Sequence, residues 1–283
     1  MELRNKTAWV TGASSGIGEA LAKGLAARGA RVILSGRRVE ELQRVAKPAH
    51  GETLVLPFEA TDYDALPGVA QKALQWRGVV DLLINNAGVS QRSLALDTSF
   101  DVYRRIMEID FFAPVRLTQL LLPSMVERKS GHIVIISSVA GKVGAPLRTA
   151  YCAAKHACVG YYDALRAEIE AAYGIGVSVV TPGSVRTDIA RHAMTGDGTM
   201  RGRSDENIDN GMAPEKAAEI ILDGVANGVR EIQVAEGMEL AALQMRAASP
   251  EALFGFVAQE GARLAAAREA GEAPDPAKVN RGA

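Results

Sequence analysis

Short runs of β-branched and apolar residues alternate with longer helical patterns along most of this chain. Seven runs are predicted as strands: Thr7–Thr11, Arg31–Ser35, Thr53–Pro57, Val80–Ile84, His132–Ser137, Val177–Thr181 and Glu231–Ala235. Several are apolar throughout, as in parallel strands that are covered on both faces. Helices are predicted over Gly16–Arg28, Val39–Ala46, Tyr63–Gln75, Phe100–Glu127, Ala150–Tyr173 and Pro214–Asn227. The alternation predicts an α/β fold: a single doubly wound domain with a mostly parallel seven-stranded sheet.

The expected domain boundary lies where this alternation stops. We expect residues 1–236 to form the α/β domain, residues 237–270 to form a C-terminal helical extension of the same domain, and residues 271–283 to form a flexible tail. Residues 184–212 form a long polar loop after the sixth strand. A loop of that size is more often a functional lid than a plain connection.

Composition and charge argue against several functional classes. The net charge is −1, so no strong field would attract nucleic acid or an anionic membrane surface. We see no apolar run of membrane-spanning length and no secretory signal pattern at the N-terminus. Cys152 and Cys158 face apart on one predicted helix and are expected to be free thiols in a reducing cytoplasm. No two histidines have ligand spacing, so we predict no metal site.

A glycine-rich turn, T-G-A-S-S-G-I-G at residues 11–18, follows the first strand and opens the first helix. Gly12, Gly16 and Gly18 suit a tight turn, a close backbone approach and close helix–strand packing. The helix N-terminus that follows presents free N–H groups and a partial positive charge, which favour pyrophosphate. A plain flexible turn is the alternative, but the placement between strand and helix favours a dinucleotide-binding domain of the Rossmann type.

Three further motifs follow in order, each near the end of a predicted strand. They are N-N-A-G at Asn85–Gly88, Y-x-x-x-K at Tyr151–Lys155 with Ser138 thirteen residues earlier, and P-G-x-x-x-T at Pro182, Gly183 and Thr187. With the T-G-x-x-x-G-I-G turn, this set resembles the short-chain dehydrogenase/reductase family over about residues 5–235. The resemblance implies an oxidoreductase that interconverts an alcohol and a ketone or aldehyde by hydride transfer.

The end of the second strand predicts which nicotinamide cofactor the chain prefers. Rossmann-type NAD binders usually carry an acid there for the ribose 2′-hydroxyl, whereas this chain reads Ser35-Gly36-Arg37-Arg38. Guanidinium groups bind a 2′-phosphate with charge-assisted bonds, so we predict NADP(H), with Arg37 as the main contact and Arg38 second. Two solvated surface charges are the alternative. The turn and the resemblance add further cofactor residues: Gly12, Ser14, Ser15, Gly16, Ile17, Gly18, Glu59, Ala60, Asn86, Tyr151, Lys155, Val185 and Thr187.

Tyr151 and Lys155 are four residues apart, so they share one helix face. Free tyrosine, with a pKa of about 10, is a poor base at neutral pH, and a nearby ammonium favours the phenolate. The pair alone could be two ordinary surface side chains. The resemblance implies that Tyr151 exchanges the proton with the substrate oxygen, that Ser138 positions that oxygen, and that Lys155 holds the nicotinamide ribose and favours the phenolate.

Asp110 departs from the pattern of the family, which usually has Asn at this fourth catalytic position. In the family the backbone carbonyl there holds a water that leads to the lysine, so a change of side chain does not remove the role. The carboxylate could instead bind Lys155 or alter the pH profile. It could also be a structural residue at a helix kink before Pro114.

The predicted function is therefore that of an NADP(H)-dependent oxidoreductase acting on a small carbonyl or alcohol substrate. A non-catalytic dinucleotide-binding sensor or scaffold is the alternative, and dehydration or epimerisation in the same fold is a third possibility. His192 and Met194 could touch substrate, and Arg148 could meet a carboxylate or be solvated. The C-terminal extension could pack on the body or a partner, cover the substrate pocket, or weakly contact a membrane. By resemblance we expect a cytoplasmic homodimer or homotetramer.

Overall fold

The computed structural model describes residues 1–47 and 51–273, and the strands of this part form a single sheet. They are β1 Thr7–Thr11, β2 Arg31–Ser35, β3 Thr53–Val55, β4 Leu82–Asn85, β5 Gly131–Ile136, β6 Ile175–Pro182 and β7 Glu231–Val234. The strand order is β3-β2-β1-β4-β5-β6-β7, and every neighbouring pair is parallel. The predicted doubly wound fold is confirmed, with a sheet that is parallel throughout.

Helices cover both faces of the sheet and continue beyond its last strand. They are α1 Gly16–Ala27, α2 Val39–Ala46, α3 Leu66–Arg77, α4 Phe100–Met107, α5 Ala113–Arg128, α6 Thr149–Tyr173, α7 Glu206–Asp209, α8 Pro214–Ala226, α9 Gly237–Ala248 and α10 Pro250–Glu269. The last two form the predicted C-terminal helical extension. In the part of the chain that is described, no helix combines the length and the apolar character needed to cross a membrane. Residues 274–283 of the predicted tail lie outside the described residues.

Alternate residues of each strand enter two separate cores, one on either side of the sheet. In β1, Ala8 and Val10 belong to the core under α1 and α8, whereas Trp9 belongs to the core under α3, α5 and α6. Each large apolar side chain that is fully buried contributes about 1.5–3 kcal/mol. Trp9 also donates its indole N–H to Ser35 Oγ at 2.8 Å, so its polar atom is satisfied inside the core. Both faces of the inner strands β1, β4 and β5 are thus buried, which explains their continuous apolar character, whereas Glu231 and Gln233 leave one face of the edge strand β7 exposed.

The prediction of one continuous helix over residues 100–127 is wrong. A π-helical turn at Glu108–Phe112 separates α4 from α5. Pro114 has no backbone N–H and cannot bond the carbonyl of Asp110 four residues earlier. That carbonyl instead accepts a hydrogen bond from the thiol of Cys158 in α6 at 3.1 Å. The interruption therefore places Asp110 against the helix that carries Tyr151 and Lys155.

Proline also explains two smaller differences between the predicted and observed ends of elements. β3 ends at Val55, before Pro57, which lacks the N–H that a ladder requires. α3 begins at Leu66 and not at Tyr63, and Pro67 occupies its first turn, where the fixed φ of proline suits the helix. Neither difference moves a predicted site residue.

Candidate active site

The glycine-rich turn lies where β1 and β4 end side by side, at the point where the strand order reverses. Gly12 has φ +65°, and a Cβ there would lie 2.9 Å from the Cα of Ala87. Thr11 Oγ1 accepts hydrogen bonds from the N–H groups of Asn86 at 3.0 Å and Ala87 at 3.1 Å. The Asn86 amide in turn donates to the Thr11 carbonyl at 3.0 Å. These contacts clamp the N-N-A-G segment against the turn.

Gly18 lies under the turn and packs against its backbone. A Cβ on Gly18 would overlap the carbonyl oxygen of Gly12 and would lie 2.5 Å from the amide nitrogen of Asn86. α1 begins at Gly16, and the first N–H groups of a helix have no partners within it. The turn therefore brings a helix N-terminus to the edge of the sheet, as anion binding requires.

A cleft of about 500 Å³ runs along this edge of the sheet. Eleven of the predicted cofactor residues line it: Gly12, Ser14, Ser15, Gly16, Ile17, Arg37, Arg38, Glu59, Ala60, Asn86 and Thr187. His192 and Met194 of the polar loop line it as well. Gly18 packs beneath the turn, and Val185 is buried beside the cleft. Lys155 lies directly behind the cleft wall, since a Cβ on the lining residue Gly88 would lie 3.3 Å from its ammonium.

The two arginines after β2 have different surroundings. Arg38 donates to Ser14 Oγ at 3.0 Å and to Ser15 Oγ at 2.9 Å, so its guanidinium is held over the glycine-rich turn. Arg37 is 65% exposed and lies 3.7 Å from the Glu59 carboxylate. The sequence ranked Arg37 first, whereas these positions favour Arg38, whose guanidinium is held by two serines and pairs with no acid within residues 1–47 and 51–273.

Ser138, Tyr151 and Lys155 come from β5, its following turn and α6. The Lys155 ammonium lies 5.5 Å from the centre of the Tyr151 ring, as their i, i+4 spacing predicts. Tyr151 packs in a small cluster with Ala140, which belongs to the 3₁₀ turn that Ser138 caps. The Ser138 hydroxyl accepts from Ala140 N–H at 3.1 Å and donates to the Pro182 carbonyl at 3.3 Å. The structure therefore places these three residues on adjoining segments at the carboxyl ends of β5 and β6.

Asp110 forms a buried ion pair with Lys155, with 3.1 Å between Oδ2 and Nζ. Its other carboxylate oxygen accepts the N–H of Val89 at 2.8 Å. Lys155 also donates to the Ile136 carbonyl at 3.1 Å, so one of its three N–H donors remains for another partner. Burial opposes the charge of Lys155, but Asp110, Tyr151 and Cys158 together outweigh it and raise the pKa of Lys155 above its ordinary value. Burial also raises the pKa of Asp110, against the effect of Lys155. Asp110 therefore both binds Lys155 and lies at an interruption of the helix, as the sequence suggested in two separate alternatives.

The polar loop that forms one side of the cleft is anchored by a buried carboxylate. Asp205 is fully buried and pairs with Arg92 at 2.7 Å, with Arg148 at 3.6 Å and with Arg201. Burial lowers the pKa of Arg92 to about 10, even though Asp205 favours its charge. Arg148 is therefore partly exposed and pairs with a carboxylate of the chain itself. The cluster fastens the loop to the segment after β4 and to the start of α6.

Gln91 is a residue of the site that sequence reasoning missed. Its side-chain oxygen accepts the N–H of Ala150, one residue before Tyr151, at 2.8 Å. Its amide nitrogen donates to Thr98 at 3.1 Å. Gln91 thus caps the helix that carries the tyrosine. Because the partners are far apart in sequence, no local pattern could have indicated this contact.

Comparisons with known proteins agree on the family. Residues 6–197 match the family model described as short chain dehydrogenase. Dehydrogenase/reductase SDR family member 7B of Mus musculus is 42% identical over 263 residues, which span 90% of this chain and 81% of that protein.

Solved structures share the same fold. A short chain dehydrogenase/reductase from Burkholderia phymatum in complex with NAD superposes with a TM-score of 0.77 at 22% identity, covering 98% of this chain and 99% of that one. A short chain dehydrogenase from Burkholderia cenocepacia in complex with NADP superposes with a TM-score of 0.75 at 24% identity, covering 91% of this chain and 99% of that one. At these identities the likeness bears on the fold alone.

Proposed function

The chain belongs to the short-chain dehydrogenase family, and we propose that it is an NADP(H)-dependent oxidoreductase that interconverts an alcohol and a ketone or aldehyde. The observation that carries this proposal is the Tyr151–Lys155 pair, in which the ammonium lies 5.5 Å from the centre of the phenol ring. A phenol beside a fixed positive charge is suited to exchange a proton with a substrate oxygen. The glycine-rich turn lies at the same edge of the sheet.

The residues of the cleft fit a dinucleotide that carries a 2′-phosphate. The space in front of Gly12 and the N-terminus of α1 suit the pyrophosphate. Arg38, held by Ser14 and Ser15, offers a fixed guanidinium beside this turn. Solved relatives of the same fold are described with NAD and with NADP. The preference for NADP(H) therefore rests on Arg37 and Arg38 and on the lack of an acid in the Ser35–Arg38 segment.

Each side chain of the catalytic group has a separate task in the proposed mechanism. The bound nicotinamide supplies the hydride for carbonyl reduction and accepts it for alcohol oxidation. Tyr151 donates its phenolic proton to the carbonyl oxygen, and it removes that proton in the reverse direction. Ser138 turns its hydroxyl from the Pro182 carbonyl to the substrate oxygen and positions it. Lys155 would hold the ribose of the cofactor with its remaining donor and keeps a positive charge beside the phenol.

The substrate proposed for this site is a small carbonyl compound with a mainly apolar body. Apolar side chains that line the cleft include those of Val89, Ile109, Ile189, Met194 and Met200. Pockets of this kind bind apolar bodies and use a few polar groups to orient them. We also propose, from the resemblance alone, a cytoplasmic homodimer or homotetramer.

One observation favours a second candidate, a non-catalytic dinucleotide-binding sensor or scaffold. Asp110 forms an ion pair with Lys155, the lysine that the family mechanism needs near the cofactor. However, an ammonium with two partners retains a third donor, so the pair is compatible with catalysis. Turnover of any carbonyl compound separates the two candidates.

The test of the proposed function starts with NADPH and NADH titrated separately into the purified protein, with nucleotide fluorescence as the readout. We expect clearly tighter binding of NADPH, followed by NADPH oxidation with members of a panel of apolar ketones and aldehydes. Equal affinity for the two cofactors would overturn the NADP(H) assignment alone. Binding without turnover across the panel would favour the non-catalytic candidate.

A further inference from the structure

The carboxylate of Glu239 in α9 links the C-terminal extension to the loop after β6. Glu239 Oε2 accepts the backbone N–H of Ser184 at 2.6 Å, and Oε1 accepts the Ser184 hydroxyl at 2.7 Å. A Cβ on the neighbouring Gly183 would overlap Glu239 Oε2. The carboxylate therefore lies directly against the P-G motif, and charge-assisted hydrogen bonds of this kind are about twice as strong as neutral ones.

Ser184 joins three segments of the chain at this point. Its hydroxyl also accepts from the side-chain amide of Asn207, in the polar loop, at 2.7 Å. Its carbonyl accepts the N–H of Met212, near the end of the same loop, at 2.9 Å. Loss of Glu239 would remove both carboxylate hydrogen bonds from Ser184.

The segment held by Glu239 runs from Ser138 to the glycine-rich turn. Its first residue, Pro182, accepts the hydroxyl of Ser138. Its last residue, Thr187, packs against the glycine-rich turn, since a Cβ on Gly16 would lie 2.9 Å from Thr187 Cγ2. The adenosine end of the cleft, marked by Arg38, is built from other elements. Thr187 lines the cleft, and the segment that ends there begins against Ser138, so it lies where the nicotinamide half of a bound dinucleotide would meet the proposed catalytic group.

We propose that Glu239 is a positioning residue that holds residues 182–187 in the shape required by the nicotinamide half of the cofactor. This inference rests on the proposed function of the cleft. It makes α9 a part of the cofactor site, although α9 lies beyond the last strand of the sheet. The remainder of the extension is anchored independently, because Leu253 packs on Val139 and Val143 and Arg268 binds Asp97 at 2.8 Å.

The test compares two nucleotides that share the adenosine half. Dissociation constants for NADPH and for adenosine 2′,5′-bisphosphate, which has no nicotinamide, are measured by calorimetry on wild type, Glu239→Ala and Glu239→Gln. We expect Glu239→Ala to weaken NADPH about tenfold and to leave the bisphosphate unchanged. Glu239→Gln keeps an acceptor for the Ser184 N–H and is expected to be intermediate.

Matched variants separate positioning from general loss of structure. Ser184→Ala removes only the hydroxyl and should weaken NADPH selectively, by less than Glu239→Ala. Glu236→Ala, three residues earlier, removes a surface pair with Lys216 and should change neither constant. Equal weakening of both nucleotides by Glu239→Ala, or unchanged NADPH affinity, would overturn the inference alone. A wild-type chain that binds neither nucleotide would overturn the proposed function and this inference with it.

Discussion

The carboxylate of Asp110 lies 3.1 Å from the ammonium of Lys155, and at most 5% of either side chain is exposed. The pair forms because the π-helical turn and Pro114 bring Asp110 against α6. It places a carboxylate next to the lysine that is proposed to act in catalysis. The Asp110 side chain therefore acts on the residue that supports Tyr151.

The variant Asp110→Asn should move the alkaline limb of the pH–rate profile to lower pH by about one unit or more. In the wild type, Asp110 is the largest of the influences that raise the pKa of Lys155 against the effect of burial. Asn keeps the size of the side chain and removes its charge, so burial is opposed less strongly and that pKa falls. Activity that needs the ammonium is then lost at a lower pH. The measurement is kcat/KM for a carbonyl substrate as a function of pH.

The same linkage has a consequence for stability. Because the folded-state pKa of Lys155 is raised, the stability that its ammonium contributes is fully present below about pH 10.4 and is lost as the pH rises through the folded value. Burial raises the pKa of Asp110, so the ion pair is also lost toward acid pH, where that carboxylate takes up a proton. The control for the pH–rate profile of Asp110→Asn is Asp101→Asn, on the exposed face of α4, which should leave that profile unchanged. An unchanged profile in Asp110→Asn would show that the carboxylate is idle.

The variant Tyr151→Phe should retain NADPH binding and lose turnover by at least about 100-fold, because it lacks the proton that the mechanism exchanges. The ring keeps its packing against Ala140 and Cys152, so the fold is retained. Single-turnover NADPH oxidation measures the loss. Tyr173→Phe, at the exposed end of the same helix, serves as the control. Near-normal turnover in Tyr151→Phe would refute the catalytic assignment.

Arg38→Ala should weaken NADPH by about 10-fold to 100-fold and leave NADH almost unchanged, because it removes a charge-assisted contact to the 2′-phosphate. Arg37→Ala should have a smaller effect, since Glu59 already neutralises part of its charge. Fluorescence titrations of both variants with both cofactors provide the comparison. A larger loss in Arg37→Ala would restore the order that the sequence suggested.

Asp205→Asn should lower the free energy of unfolding by about 3–5 kcal/mol, because it leaves the buried guanidinium of Arg92 without its counter-charge. Urea denaturation measures the change. Asp223→Asn breaks the exposed pair with Arg28, in which the aspartate is 59% exposed, and should change stability by about 1 kcal/mol or less. Equal effects of the two variants would show that Asp205 is not an anchor of the loop.

The sequence by itself determined the elements and their order. Strand and helix periodicities are local, so β1, β2 and α1 appeared close to their final bounds. The glycine-rich turn and the i, i+4 spacing of Tyr151 and Lys155 are local as well. Their geometry follows from the conformation of a few consecutive residues.

Only the tertiary structure decided which distant charges meet. Asp110 could equally have been a kink residue, and its contact with Lys155 depends on how α5 packs on α6. Arg92 and Asp205 are 113 positions apart, and Ser184 and Glu239 are 55 apart. No short-range pattern encodes such pairs, because they form only after the sheet order has brought separate loops to one edge. The physical reason is that electrostatic and hydrogen-bond contacts act over a few ångströms in space, regardless of separation along the chain.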